Sequence, residues 1–362
     1  MKSLALVPGI VSVLPAIGAS AAKVPLPVAD EPKPTEAQRK WMDLGFGMFI
    51  HFSINTFNDL EWSDGTLDVK TYNPTKIDTD QWCATAKAAG MKYIVLVTKH
   101  HDGFCNWPTA YTDYSVKSTP FGKDTLRMVV DSARKHGLEV GLYYSLWDRH
   151  EKSHDTDELA YVDFMKNQLK ELLTNYGPIV ELWFDGYWKK QRSGWSKSGT
   201  PEGNQQQMDA WRNEGAFRWQ IDSVYQFIKS LQPNCMVMNN ATTSFPGVPL
   251  FPCDIRSGER ATDTAGDKKV WKWLGQDTYL PLQIETTMSR SSKDKMFASG
   301  SWFWHKDDHT VVTVAQIEDW LEKAKSQQAN LLLNVGPSNE GLLRKEDIDT
   351  LKALGKKRGV KG

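Results

Sequence analysis

Four apolar runs in the first half of this chain each end abruptly in polar residues, and amphipathic stretches separate them. The runs are Phe46–Ser53, Tyr93–His100, Leu138–Ser145 and Ile179–Phe184. Between them, helical periodicity covers Asp80–Ala89 before Gly90, Asp124–His136 before Gly137, and Asp157–Tyr176 before Gly177. A run that is apolar on both faces predicts a strand sandwiched between two layers. Glycine just past a periodic stretch is a helix stop signal. Strands that alternate with helices predict a parallel sheet, because a parallel neighbour is reached only through a crossover.

The polar residues at the ends of these runs narrow the choice of sheet. His51, His100-His101-Asp102, Ser145 and Asp185 all sit at predicted strand C-termini. That is where a (β/α)₈ TIM-like barrel builds its active site. A doubly wound sheet is the competing fold, but no glycine-rich phosphate loop follows the first strand. A length of 362 residues fits one barrel domain with extensions.

The second half is less regular. Lys189–Gln207 is polar and rich in Gly and Ser, which predicts a long loop over the site. A helix is expected over Met208–Leu231, then strands at Cys235–Asn240, Pro252–Arg256, Leu282–Thr287 and Ser301–His305. A helix at Val314–Gln327, a last strand at Ala329–Gly336 and a helix over 345–356 complete the reading. Residues 1–22 have a basic start, a short apolar core and small residues at Ala19–Ala22, the features of a secretory signal peptide. Residues 23–40 read as a linker or N-terminal arm, and 41–362 as the catalytic domain. The expected location is therefore secreted or periplasmic. An exported chain permits disulfides among Cys83, Cys105, Cys235 and Cys253, and four cysteines allow three pairings. Their spacing does not suggest zinc.

Charge removes whole classes of partner. Lys plus Arg and Asp plus Glu both number 44, so neither nucleic acid nor an anionic membrane surface has an electrostatic claim on the chain. Tryptophan is frequent, at 15 residues. Trp62, Trp183, Trp188, Trp302 and Trp304 stand beside polar residues and suit the amphipathic faces of a sugar. No G-x-S-x-G elbow is present, and adjacent histidines chelate a metal poorly, so no cofactor or metal is expected. Carboxylates remain as the catalytic candidates. Asp185 ends a buried strand, and Asp254, Glu259 and Glu285 lie near later strand ends. Two such acids would suit glycoside hydrolysis, one to attack or activate water and one to protonate the leaving oxygen.

Five ordered motifs carry a resemblance. Phe46-Gly-Met-Phe-Ile-His51, Lys99-His-His-Asp-Gly-Phe104, Gly141-Leu-Tyr-Tyr-Ser145, Leu182-Trp-Phe-Asp-Gly186 and Asn330-Leu-Leu-Leu-Asn-Val-Gly-Pro337 resemble the family 29 α-L-fucosidases, from about residue 36 to residue 355. The resemblance implies retaining, metal-independent removal of terminal α-L-fucose from oligosaccharides or glycoconjugates. Asp185 would be the nucleophile. His51, Glu61, His100, His101 and Tyr143 would hold the sugar hydroxyls, and Trp183 would line the pocket near the methyl group. Glu61-Trp62 pairs an acceptor with an aromatic face. Asp254-Ile-Arg-Ser-Gly-Glu259 resembles the D-x-R-x-x-E pattern of many members, which makes Glu259 the acid/base and Arg256 a contact to sugar or carboxylate. Glu285 is the fallback acid, otherwise substrate-binding or structural. Ser301-Trp-Phe-Trp-His305, with Trp302, looks like the subgroup selective for branched α1,3/α1,4 linkages. Many members carry a β-sandwich after the barrel, and here a single catalytic domain without one is expected. Two readings compete: a fucose-binding, lectin-like protein on a glycosidase scaffold, and a metal-dependent barrel hydrolase.

Overall fold

Eight parallel strands wrap around a common interior in the computed structural model, which describes residues 31–186, 219–240, 249–262, 264–291 and 300–360. The strands in chain order are β1 (Phe46–Ile50), β2 (Tyr93–Lys99), β3 (Glu139–Ser145), β4 (Glu181–Asp185), β5 (Met236–Asn239), β6 (Arg256–Glu259), β7 (Val270–Trp273), β8 (Gln276–Tyr279), β9 (Leu282–Thr287) and β10 (Asn330–Asn334). The barrel runs β5-β4-β3-β2-β1-β10-β9-β6, while β7 and β8 form a separate antiparallel hairpin. The seam between β5 and β6 is nearly closed. Met238 and Ile255 form a parallel bridge, and the Asp254 amide donates to the Val237 carbonyl at 2.8 Å. The TIM-like (β/α)₈ expectation therefore describes the fold.

Strand alternation sorts the core into two shells. Val95, Val97, Tyr143, Trp183, Met238 and Leu332 fill the barrel interior. Ile94, Leu96, Leu142, Leu182 and Leu333 face outward under the helices. Both shells are apolar, so the strand sequences show continuous apolar runs rather than alternation.

The helices begin where their caps dictate. Asp78, Asp124 and Asp157 accept from the backbone N–H groups of Gln81, Arg127 and Ala160 at 2.8, 2.8 and 3.0 Å. Each aspartate satisfies a donor that the helix itself leaves orphaned. The helices Thr79–Ala88 and Thr125–Lys135 are followed closely by Gly90 and Gly137 at positive φ, where a side chain would be strained. Leu126, Val129, Val130 and Ala133 of the second helix are buried.

Several expectations needed correction. Residues 36–42 form a helix, Glu36–Met42, rather than part of an arm. Thr35 and Gln38 make a capping box there, a T-x-x-Q signal at the helix start. Strand β6 lies over Arg256–Glu259, not Pro252–Arg256. The stretch Ser301–His305 is not a strand, because the amides of Trp302 and Phe303 donate to the Glu61 carboxylate instead of to a neighbouring strand. The helix expected over Met208–Leu231 is described only as Ile221–Leu231, after Gln220 in a left-handed conformation. The leader, the loop Lys189–Gln207 and Trp188 lie outside the described residues. All four cysteines are buried thiols, with no disulfide among them.

One buried cation ties the upper barrel together. Lys99, at the end of β2, is fully buried, and its Nζ donates to Asp148 at 2.8 Å, to the Tyr144 hydroxyl at 3.0 Å and to the Tyr161 hydroxyl at 3.2 Å. Burial is the largest single influence and opposes the charge on Lys99, but Asp148 together with Tyr144, Tyr161 and Cys105 outweighs it and holds the ammonium well above its usual range. Lys99→Met leaves the buried Asp148 without its cation, held only by the His150 and Glu151 amides on Oδ1. Urea unfolding is expected to show a loss of about 3–5 kcal/mol, with Lys99→Met/Asp148→Asn recovering part of it. A loss below about 1 kcal/mol would show that the pair does not matter.

Candidate active site

The ends of β3, β4, β5 and β6 bring two carboxylates to one amide. Asp185 is the last residue of β4, in register with Ser145 of β3. Its Oδ2 accepts from the Tyr143 hydroxyl at 2.8 Å, and its Oδ1 accepts from the Gly186 amide at 2.8 Å. Asn240, just past β5, donates from the same Nδ2 to Asp185 Oδ1 at 3.2 Å and to Glu259 Oε2 at 2.7 Å. Those two oxygens are therefore no more than about 6 Å apart, within the span that glycosidase carboxylate pairs occupy.

The two acids live in different surroundings. Asp185 gathers three donors. Glu259 is 7% exposed, and burial, reinforced by the Asp185 charge, pushes its carboxyl up to about 7. A carboxylate held by several donors beside a buried acid of raised proton affinity suits opposite roles in one reaction. Burial and the Asp185 charge also push the Tyr143 hydroxyl well above its usual range, so it remains a donor to Asp185.

Three histidines line the site beside this pair, and none is charged. Burial lowers His51 to about 3, His101 to about 4 and His100 well below its ordinary value. Hydrogen bonds fix two of the tautomers. The Ser145 hydroxyl donates to the Trp147 carbonyl at 2.7 Å, so His101 Nδ1, 2.7 Å from Ser145 Oγ, must be the donor between them. Asn334 spends its amide N–H groups on the Trp302 carbonyl and Thr287. Its Oδ1 therefore accepts from His51 Nδ1 at 2.7 Å. Both rings keep Nε2 as an acceptor, and His101 Nε2 lies 3.6 Å from Asp185 Oδ2. Neutral acceptors suit the hydroxyls of an uncharged ligand.

The aromatic residues set the walls. Trp183 stacks on Tyr143, with centroids 5.2 Å apart, and Trp302 stacks on His51 at 5.2 Å. His100 stacks on Tyr143 at 5.7 Å. Trp62 meets His101 and Trp147 edge-on.

The remaining residues singled out from sequence divide. Glu61 accepts from the Trp302 and Phe303 amides at 3.0 and 3.1 Å and contacts His305 Nε2 at 2.7 Å, so it anchors the loop that carries Trp302. Glu285 is fully buried and accepts from Trp183 Nε1, Ser257 Oγ and the Gly258 amide. Arg256 is not brought to the site. Its guanidinium makes two bonds to Asp267, at 2.9 and 2.7 Å, so the carboxylate it contacts is a structural one. Asn240 and Arg260 belong to the site but were missed. Asn240 ends a predicted strand, like the other site residues, while Arg260 carries no motif at all. A cavity of about 410 Å³ opens at the opposite, N-terminal end of the barrel around Leu44, Phe46 and Leu321, away from both acids.

Comparison with known proteins agrees with this geometry. Residues 58–362 match the family model described as alpha-L-fucosidase. The chain is 30% identical over 340 residues to alpha-L-fucosidase 1 of Arabidopsis thaliana, covering 90% of this chain and 60% of that protein. Among solved structures, a glycoside hydrolase 29 family member from an unknown rumen bacterium superposes with a TM-score of 0.72 at 31% identity, over 91% of this chain and 57% of the other. The alpha-L-fucosidase isoenzyme 1 of Paenibacillus thiaminolyticus gives 0.69 at 29% identity, over 90% and 75%. The chain thus spans about 60% of the length of the Arabidopsis and rumen relatives.

The histidine assignment has a direct check. Imidazole ¹⁵N NMR is expected to show His51 and His101 neutral and protonated on Nδ1 from pH 5 upward. Titration of either ring near 6.5, the unperturbed value, would overturn it.

Proposed function

The chain belongs to the α-L-fucosidases of glycoside hydrolase family 29, and from that membership we propose that it is a retaining exo-α-L-fucosidase acting on terminal α-L-fucose of oligosaccharides or glycoconjugates. The observation that carries the reading is the single Asn240 amide shared by Asp185 and Glu259. It holds a donor-rich carboxylate beside an acid whose proton affinity is raised to about 7.

In this reading Asp185 attacks the anomeric carbon while Glu259 gives its proton to the departing glycosidic oxygen. The bond to that oxygen breaks with its electron pair, and a fucosyl ester forms on Asp185. Glu259, now ionised, takes a proton from water. The water oxygen bonds to the anomeric carbon, and the ester bond returns its pair to Asp185. Tyr143, Gly186 and Asn240 hold the carboxylate in place for attack. His51, His100 and His101 receive hydroxyl protons, Trp183 and Trp302 pack against the apolar face, and Glu61 acts through the Trp302 loop.

The test is turnover of an aryl α-L-fucoside. Asp185→Ala is expected to lower kcat by roughly 10⁴-fold, the scale on which loss of one catalytic-triad residue acts in other hydrolases. Azide is expected to restore turnover through the vacated position, giving a fucosyl azide of inverted configuration. Near-normal activity in Asp185→Ala would end the reading. Because the first step needs Glu259 protonated, kcat/KM is expected to fall as pH rises through about 7. Glu259→Gln is expected to abolish that basic limb and to cost about 10²–10⁴-fold on a poor leaving group. A basic limb that survives the substitution would remove Glu259 from the role.

We further propose that residues 1–22 direct export and are cleaved. N-terminal sequencing of protein recovered from medium or periplasm is expected to begin at Lys23. Retention of Met1 would exclude cleavage.

A further inference from the structure

Arg260 is the site residue whose presence the reaction above leaves unexplained. It directly follows Glu259 and adopts φ 60°, a conformation uncommon for any residue but glycine. Its amide is bonded to the Glu285 carbonyl at 2.7 Å, so the turn is built into the sheet. The guanidinium lies over the Trp302 ring, 4.6 Å from its centroid, and donates to the Gly300 carbonyl at 2.9 Å. Its Nε is 3.8 Å from Glu259 Oε1, with the two side chains 12% and 9% exposed. That separation is too long for a hydrogen bond and short enough for a strong charge–charge contact in a site shielded from water. The mount is itself held: Glu61 takes the Trp302 amide and Asn334 takes its carbonyl.

The charges around Glu259 are unbalanced without this group. Asp185 of β4 acts on it as an anion, while Glu285 of β9 is a carboxyl that burial pushes well above the usual carboxylate range. Tyr143 of β3 faces it as a neutral hydroxyl. Glu61 faces Arg260 from the other side, and neutral His51 lies within its field. Among the described charged groups acting on Glu259, Arg260 is the cation. The two halves of a retaining reaction make opposite demands on Glu259. In the first, the Asp185 charge keeps the proton on Glu259. In the second, that charge has been consumed by the ester, yet burial still favours the neutral acid, and a neutral acid cannot accept a proton from water.

We propose that Arg260 is a positioning residue that supplies the fixed counter-charge keeping Glu259 ionised in the fucosyl-enzyme. Glu259 can then take a proton from the attacking water as the ester bond to Asp185 breaks and its electron pair returns to the carboxylate. The inference rests on the fucosidase reading. The turn at φ 60° and the Trp302 stack are what hold the charge beside Glu259 without a bond that would tie up its oxygen.

The experiment compares wild type, Arg260→Met and Arg260→Lys on two α-L-fucosides: one with a poor leaving group, whose kcat/KM profile reports the Glu259 proton, and an activated aryl fucoside, where ester formation needs little help from the acid and kcat reports ester hydrolysis. In the Met variant the basic limb of kcat/KM is expected to move up by about one pH unit. Its kcat at neutral pH is expected to fall about tenfold or more, with a pre-steady-state burst of phenol marking accumulated ester. The Lys variant restores most of both properties. A Met variant with an unmoved limb and no burst overturns the proposal. So does a Lys variant that fails as fully as Met with an unshifted profile, since that is the signature of a merely structural side chain. Wild type that turns over neither fucoside removes the fucosidase reading and this proposal together, whereas an active wild type with an indifferent Met variant removes Arg260 alone.

Discussion

Everything at this site depends on placing two carboxylates where one amide nitrogen reaches both. Buried like charges so close cannot both ionise cheaply, so their environments must divide the proton between them. The structure divides it by hydrogen-bond donors. Tyr143, Gly186 and Asn240 all point at Asp185, while Glu259 receives Asn240 and otherwise sits in low dielectric. The three nearby histidines carry no positive charge that would disturb the division, because burial strips their protons. Arg260 is the counterweight.

Holding such a pair demands rigid strand ends, and each is secured by a polar group buried at some cost. Lys99 joins Asp148 to the tyrosines of β3 and the helix Glu158–Asn175. Asp102 accepts from Asn55 at 2.7 Å and from the Phe104 amide at 2.8 Å, which sets the turn after the two histidines. Glu61 fastens the Trp302 loop across the mouth. Each of these groups would be a liability alone in the interior. Paired, they convert an irregular loop into a surface of defined shape, and the barrel beneath supplies the stability they do not.

The first half of the chain was legible because its physics is local. Asp124 and Asp157 announced helices that begin one residue later, and the runs ending at His100, Ser145 and Asp185 mapped onto strands that deliver those residues to the site. The second half was less so. Strand β6 reads Arg-Ser-Gly-Glu and has no apolar side chain, yet all four residues are buried. It qualifies as a strand because Arg256 finds Asp267 and Ser257 finds Glu285, partners that are distant from any local pattern. Ser301–His305 misled in the opposite direction: its aromatic residues resemble a strand, but its amides belong to Glu61. The β7–β8 hairpin and the Asn240 bridge likewise depend on partners that only the folded chain provides.

The choice between Glu259 and Glu285 shows what geometry adds to pattern. The two are paired residues on adjacent strands, both are buried, and burial raises the proton affinity of both. Their partners differ. Glu285 is enclosed by Trp183 from above and by Ser257 and Gly258 from the side, so its oxygens are committed to holding the indole and β6. A carboxyl that passes a proton to a ligand needs an oxygen that faces the ligand. Glu259 retains Oε1 toward the Arg260 side while Asn240 holds Oε2. Glu285 then has a role of its own. By gripping two successive residues of β6 it fixes the strand whose next residue is Glu259, the acid of the proposed reaction.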